Sequence, residues 1–321
     1  MIEIESLSKA FQVAKRKKGV SSLFSREKET IHALTDISFH IEPGEIVGYI
    51  GPNGAGKSTT IKIMSGILVP SSGTCKIMGL TPWKSRIEHV KNIGVVFGQR
   101  TQLWWDVPVI DSFNLLKDIY HLHPSDYKRS LDELVHHLDL EPLLYTPVRQ
   151  LSLGQRMRCE IAAALIHEPK ILFLDEPTIG LDAVSKIAVR QFIKKINAQR
   201  NVTVVLTTHD MSDIEALAER IILIGNGQKL YDGNLQNIKG KFNTTKHMIV
   251  EHQENDTPLN LLGCQLTSVT SERMELDIDL TLTSVTDVIN HISAARNILD
   301  ITVTTPPIEE IIVNMYKEYA L

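Results

Sequence analysis

The chain has 321 residues, of which 43% are hydrophobic and 22% charged, with a formal net charge of −4. That is the composition of a globular protein long enough for two domains, and its charge gives no reason to expect nucleic acid as a partner. No stretch approaches the ~18 consecutive apolar residues of a membrane helix, and the N-terminus lacks the basic start and apolar centre of a signal peptide. The three cysteines, Cys75, Cys159 and Cys264, stand far apart in no metal-ligand spacing, as expected for free thiols in a reducing compartment. Any role at a membrane is therefore expected to come through a partner.

In chain order, Ile2 and Ile4 alternate with Glu3 and Glu5, the period of a half-exposed opening strand. The segment from Ala14 to Glu29 holds the basic run Lys15-Arg16-Lys17-Lys18 and then Leu23-Phe24. It reads either as a solvated loop between two strands or as a basic arm near anionic lipid headgroups. Ala33 to Ile41 reads as a second strand, and Pro43-Gly44 turns the chain into a buried strand from Glu45 to Ile50.

The next nine residues, Gly51-Pro52-Asn53-Gly54-Ala55-Gly56-Lys57-Ser58-Thr59, fit the phosphate-loop pattern G-x-x-x-x-G-K-[ST]. A triphosphate carries several negative charges. A glycine-rich turn meets them with a nest of backbone N–H groups, and Lys57 adds a point charge for the β- and γ-phosphates. The Ser58 hydroxyl suits Mg²⁺, and the helix from Ser58 to Met64 turns its positive end toward phosphate.

Ser71-Ser72-Gly73 is a turn, and Ile93 to Phe97 is a short apolar run of the buried parallel type. From Gln99 to Glu168 the period becomes helical, over Val109–Leu122, Tyr127–Leu138 and Gln155–His167. Lys170–Asp175 and Val202–Thr207 return to buried strands, with a helix from Ala183 to Gln199 between them. Strands alternating with helices predict an α/β fold with a parallel sheet, interrupted by a helical subdomain over about 99–168.

After Gly240 the pattern changes. Met274, Leu276, Ile278 and Leu280 alternate with acidic residues; Val285, Val288, Ile289 and Ile292 share a helical face. A last stripe, Ile308, Ile311, Ile312, Met315, Tyr316 and Tyr319, follows Pro306-Pro307. The division expected is thus 1–240 and 241–321, the second a small α+β domain of about 80 residues whose stripe forms its own core.

The chemistry rests on residues downstream of the phosphate loop. Ile171 to Asp175 is an apolar strand ending in a carboxylate, at the sheet edge where nucleotides sit; there Asp175 can hold Mg²⁺ through water. Glu176, pointing the other way in the pleat, is free to act on an attacking water as general base.

With these residues the sequence resembles the ATP-binding subunits of ABC transporters over about Met1 to Gly240. The family's signature element corresponds to Leu151-Ser152-Leu153-Gly154-Gln155, its Q-loop glutamine to Gln99, its D-loop to Gly180-Leu181-Asp182 and its switch histidine to His209. The adenine-stacking aromatic falls at Phe11, which reads equally as a core residue. Leu153 stands where the family has a glycine; Ser152 and Gly154 are kept, so phosphate contacts survive if the Leu153 side chain turns away.

The resemblance implies a P-loop NTPase (RecA-like) parallel sheet with an antiparallel β subdomain and a helical insertion. It also implies ATP and Mg²⁺ as ligands, with Ser58, Gln99 and Asp175 around the metal. Two copies would pair head to tail, each ATP lying between one phosphate loop and the opposite signature helix. Arg100-Thr-Gln-Leu-Trp-Trp-Asp106 holds two of the three tryptophans. In the family this region receives the membrane subunit, so Trp104 and Trp105 read as a permease contact; the alternative is that they fill the subdomain's own core.

This loop, the basic arm and the C-terminal ending resemble ATPases paired with ABC-2-type permeases, within them the viologen- and sodium-exporter-like group. An exporter ATPase at the cytoplasmic face of the membrane is the leading expectation. An importer ATPase and a non-transport ABC protein acting on ribosomes or DNA are the alternatives.

Overall fold

In the computed structural model the Gly44 turn feeds β3 (Ile46–Ile50), whose last four residues are buried. It pairs in parallel with β7 (Thr203–Thr207) on one side and β8 (Arg220–Gly225) on the other. Beyond β7 lie β6 (Ile171–Asp175) and β5 (Ile93–Phe97), also parallel, and β9 (Gln228–Asn234) completes a six-stranded sheet ordered β5-β6-β7-β3-β8-β9. The runs ILFLD, TVVLT and RIILIG are buried nearly throughout because a parallel sheet is covered on both faces. Asn226 and Gly227, at φ 45° and 75°, make the two-residue turn from β8 to β9, where both central residues need positive φ.

The described residues are 1–14, 28–98, 100–241, 245–253, 261–305 and 308–318, and they fall into two units, Met1–Gly233 and Asn234–Leu321. Within the first, β1 (Ile2–Ala14), β2 (Lys28–Ile41) and β4 (Ser72–Ile77) form a second, antiparallel sheet ordered β2-β1-β4. The helix α1 (Lys57–Met64) touches β2 and β4 of this sheet and β6 of the parallel one. Ile2, Ile4, Leu7, Ile37, Tyr49 and Ile61 belong to the core that results.

Two expectations change here. The opening strands run much further than Glu5 and begin earlier than Ala33, staying paired out to Ala14 opposite Lys28. Register shifts between Ile4 and Ala10, with Ser6 and Asp36 in left-handed conformations, break the two-residue alternation that marks a strand. The basic run 15–18 and Leu23-Phe24 lie outside the described residues.

The chain then passes α2 (Arg86–Val90) and β5 and enters the helical part, α3 (Val109–Ile119), α4 (Pro124–Leu138) and α5 (Leu153–Leu165). Pro124 sits at the first position of α4, where its missing N–H costs nothing. α5 packs on both α3 and α4 and on β5. α6 (Ala183–Arg200) and α7 (Met211–Leu217) close the crossovers around β7.

The second unit has α8 (Leu235–Lys241), β10 (Thr245–His252), β11 (Cys264–Val269), β12 (Arg273–Asp279), α9 (Val285–Ala295), β13 (Ile298–Thr304) and α10 (Ile308–Glu318). Its sheet is antiparallel, ordered β11-β12-β10-β13. Met248, Val250, Met274, Leu276 and Ile278 pack with Val288 and Ile292 of α9. Leu280, expected on the inward face, lies past the end of β12 and is 37% exposed, because Asp279 ends the strand by accepting from Thr281. Ile308, Ile311, Ile312 and Met315 of α10 are buried, and α10 packs on α8; Pro306, Pro307 and Tyr319 lie outside the described residues.

Tyr49 ties the phosphate-loop strand to α1. Its hydroxyl lies 3.0 Å from Thr60 Oγ1, and since Thr60 donates its own proton to the Gly56 carbonyl at 3.2 Å, Tyr49 is the donor. Burial pushes the phenol far above its ordinary pKa, so it holds its proton throughout. Tyr49→Phe leaves Thr60 bonded to Gly56 and costs about 1 kcal/mol. A thermal melt is expected to fall by about 2–4 °C; an unchanged midpoint contradicts this role.

Candidate functional site

The phosphate loop joins β3 to α1. Gly56 is the N-cap at φ 104°, and a Cβ there would lie 2.7 Å from the Ala33 carbonyl, so only glycine both adopts this turn and admits β2 so close. Lys57 is 7% exposed and donates Nζ–H to the carbonyls of Gly51 (2.6 Å) and Pro52 (3.1 Å), which hold the ammonium inside the loop. Burial lowers its pKa, and the Glu176 and Asp175 carboxylates pull the other way.

Those carboxylates arrive by the register of the sheet. Asp175, the last residue of β6, lies opposite Thr207 and accepts from Thr207 Oγ1 at 2.5 Å and from Ser58 Oγ at 3.4 Å. Glu176 does not continue the pleat as its sequence position suggests. It turns out of the strand at φ 55°, a costly conformation for a residue with a Cβ, held by its N–H bond to the Thr207 carbonyl at 2.9 Å. The turn brings its Oε2 to 3.4 Å from His209 Nδ1. Ser58, Asp175 and Glu176 line a cleft of about 320 Å³ together with Lys62 and Arg100. A cavity of about 640 Å³ elsewhere is lined by Arg129, Glu133, Glu168 and Arg200, whose charges are already paired with one another.

The signature residues form a second cluster. Ser152 caps α5 through a capping box, accepting from Gln155 N–H at 3.2 Å while its own N–H donates to Gln155 Oε1 at 2.9 Å. The box takes up the Gln155 N–H and leaves the Leu153 and Gly154 N–H groups at the start of a 13-residue helix as anion donors. Gly154 is pressed against α6: a Cβ there would lie 2.5 Å from Ser185 Oγ, and Ser185 donates through that same oxygen to the Asp182 N-cap at 3.0 Å. Leu153 turns its side chain onto Gly180, where a Cβ would lie 2.7 Å from Leu153 Cδ2. The departure from the family's glycine is thus seated against the Gly180 turn. Hydrogen bonds from the Ser185 N–H and hydroxyl hold the Asp182 carboxyl below the usual range.

The remaining expected residues are dispersed. Gln99 lies outside the described residues. Phe11 is half-buried on the outer stretch of β1, opposite Ile31, with Lys9 Nζ 5.1 Å above its ring. Trp104 and Trp105 are 42% and 48% exposed, with the Arg156 guanidinium 5.8 Å from the Trp105 ring.

A buried polar network behind His209 was not anticipated. Asp213, fully buried, accepts from Thr178, from Thr208 Oγ1 at 3.1 Å and from Arg190 Nε at 2.6 Å. Asp210 caps α7 and binds Lys186 of α6 at 2.5 Å; burial pushes its carboxyl up, but the bonds from Lys186 and Ser212 win and bring it to about 2. The network joins the segments after Glu176 and before His209 to α6. An aspartate directly ahead of the helical pattern MSDIEAL was a readable N-cap signal; the long-range bonds left none.

The ABC transporter family profile matches residues 34–179. The chain is 33% identical over 218 residues to the ABC transporter ATP-binding protein NatA of Bacillus subtilis (strain 168), covering 68% of this chain and 88% of that protein. It is 34% identical over 226 residues to the methionine import ATP-binding protein MetN of Latilactobacillus sakei, covering 69% of this chain and 65% of that one. Among solved structures, the dimeric ATP-binding cassette MJ0796 bound to ADP and Pi superposes with a TM-score of 0.62 at 28% identity, over 73% of this chain and 99% of that chain. The chain belongs to the ABC transporter family, as an ATP-binding and ATP-hydrolysing subunit.

Proposed function

We propose that this subunit powers export through a separately encoded ABC-2-type permease, docked at the cytoplasmic face of the membrane, with two copies closing head to tail on two ATP molecules. The observation that carries the reading is the exposed Trp104-Trp105 pair, since adjacent aromatics on the surface are typical anchors of a buried contact. Among the described residues no helix is long and apolar enough to cross a membrane, so the path for cargo belongs to a partner. The importer reading has its own support in the likeness to MetN, and the direction of cargo movement in inverted vesicles separates the two.

Within the site, Lys57 and the loop N–H groups bind the β- and γ-phosphates. Ser58 and Asp175 offer hard oxygen donors within 3.4 Å of each other, a set that fits Mg²⁺. When bound, Mg²⁺ neutralises charge developing on the phosphates. Glu176 takes the proton of the attacking water, and His209, beside it, holds the γ-phosphate. Gln99 senses the metal and the membrane partner, Phe11 stacks on adenine, and Asp182 lies at the dimer seam. The opposite copy's Ser152 and Gly154 complete the phosphate contacts. Loss of the γ-phosphate removes those contacts and leaves like charges facing, so the dimer opens.

Glu176→Gln is expected to lower turnover by about 10²–10⁴-fold, the worth of a positioned general base, and to accumulate an ATP-bound dimer in sedimentation. Normal hydrolysis by that variant contradicts the assignment. Trp104→Ala with Trp105→Ala is expected to abolish co-purification of the permease, with the thermal midpoint of the isolated chain moving by no more than about 2–4 °C. Collapse of the isolated domain returns the tryptophans to the core.

A further inference from the structure

Glu160 lies in the run Cys159-Glu160-Ile161-Ala162-Ala163 of α5, every member of which is buried; its own exposure is 3%. A carboxylate in such surroundings is costly, and an apolar residue of similar volume serves packing as well or better. Burial pushes its carboxyl up, and hydrogen bonds from Thr101 and the Gln102 N–H oppose the rise. What Glu160 binds is the loop of the two tryptophans. Its carboxylate accepts from Thr101 Oγ1 and, at 3.2 Å, from the Gln102 N–H, while the Gln102 amide donates to the Glu160 carbonyl at 3.0 Å. Thr101 Oγ1 also accepts from Leu103 N–H at 3.1 Å, and the Trp104 N–H donates to the buried Ser112 Oγ at 3.1 Å.

The spacing along α5 gives these contacts a direction. Ser152, Arg156 and Glu160 stand at i, i+4 and i+8, on one face of the helix. At the top is the signature cap; one turn down, Arg156 lies against Trp105; a further turn down, about 12 Å from the cap, Glu160 grips Thr101 and Gln102. The loop is strapped lengthwise along the signature helix.

We propose that Glu160 is a positioning residue that fixes the Trp104-Trp105 loop to α5, so that the phosphate-facing end of the signature helix and the tryptophan pair shift as one body. That the pair docks a permease rests on the reading above; the strap itself is a property of this chain and is tested without the permease, so the two can fail separately. Engagement of Ser152 and Gly154 with ATP bound by the opposite copy pulls on α5, and the strap passes that displacement to the surface loop.

The test uses the full chain with Trp83→Phe, leaving Trp104 and Trp105 as its only tryptophans, and with Glu176→Gln to preserve bound ATP. Adding ATP with Mg²⁺ is expected to change the emission of the pair. Glu160→Leu, which keeps the helix packed, loses that change while still binding ATP, and Thr101→Ala, made on the exposed loop side, loses it too. Glu160→Gln keeps an acceptor for Thr101 and Gln102 and retains it. If Glu160→Leu does not fold, Thr101→Ala decides alone. The inference is overturned if the parent shows no change on adding ATP, or if the folded Leu and Ala variants respond as the parent does.

Discussion

Parallel pairing of β6 with β7 sets Asp175 opposite Thr207, and pairing of β7 with β3 sets Leu206 opposite Gly48, so that three chain segments end their strands at one edge of one sheet. Everything the site does depends on that register. A one-residue slip would send Asp175 to the other face of the sheet and separate its carboxylate from Ser58. Because the strands are buried on both faces, apolar packing enforces the register without any contribution from the polar groups it aligns. The costly left-handed turn at Glu176 is tolerated in that setting, since the strand behind it cannot move.

The same logic explains which parts of the fold are legible in the residues alone. β5, β6, β7 and the helices α3 to α6 are legible because each has a local pattern: a short apolar run, or apolar residues at three and four. The phosphate loop is a contiguous motif whose residues meet without help from distant chain. The long arm of β1 and β2 is not legible, because its bulges scramble the alternation and its outer residues are held only by cross-strand pairing. Nor are the Glu160–Thr101 and Asp213–Thr178–Arg190 bonds, which span 59, 35 and 23 residues. A glutamate inside CEIAAAL is the visible anomaly, yet a sequence shows only that such a carboxylate needs partners and not which ones it finds.

The polar residues divide between two bodies that do different work. One comprises Ser58, Asp175 and Glu176, which line a cleft, with His209 beside Glu176 and Lys57 held within the loop Gly51–Thr59. The other comprises Ser152, Leu153 and Gly154 on α5, locked to Gly180, Asp182 and Ser185 at the head of α6. Asp210 and Asp213 tie α6 back to the His209 segment, and the strap at Glu160 ties α5 to the surface tryptophans. Hydrogen bonds thus tie the segments of Glu176 and His209 to α6, and α5 to the loop, while α5 meets α6 by the close packing of Gly154 on Ser185 and of Leu153 on Gly180.

The central claim is that the phosphate loop of one copy is completed by the signature helix of another. Mixing two inactive chains tests it directly: Lys57→Ala, which lacks the phosphate-loop ammonium, and Gly154→Asp, which sets a carboxylate against the phosphate. Each alone is expected to be silent. Mixed in equal amounts they are expected to recover about one quarter of the wild-type ATPase rate, since half of the symmetric pairs are then mixed and each holds one complete site of two. No recovery on mixing, or full activity of either variant alone, would contradict the account.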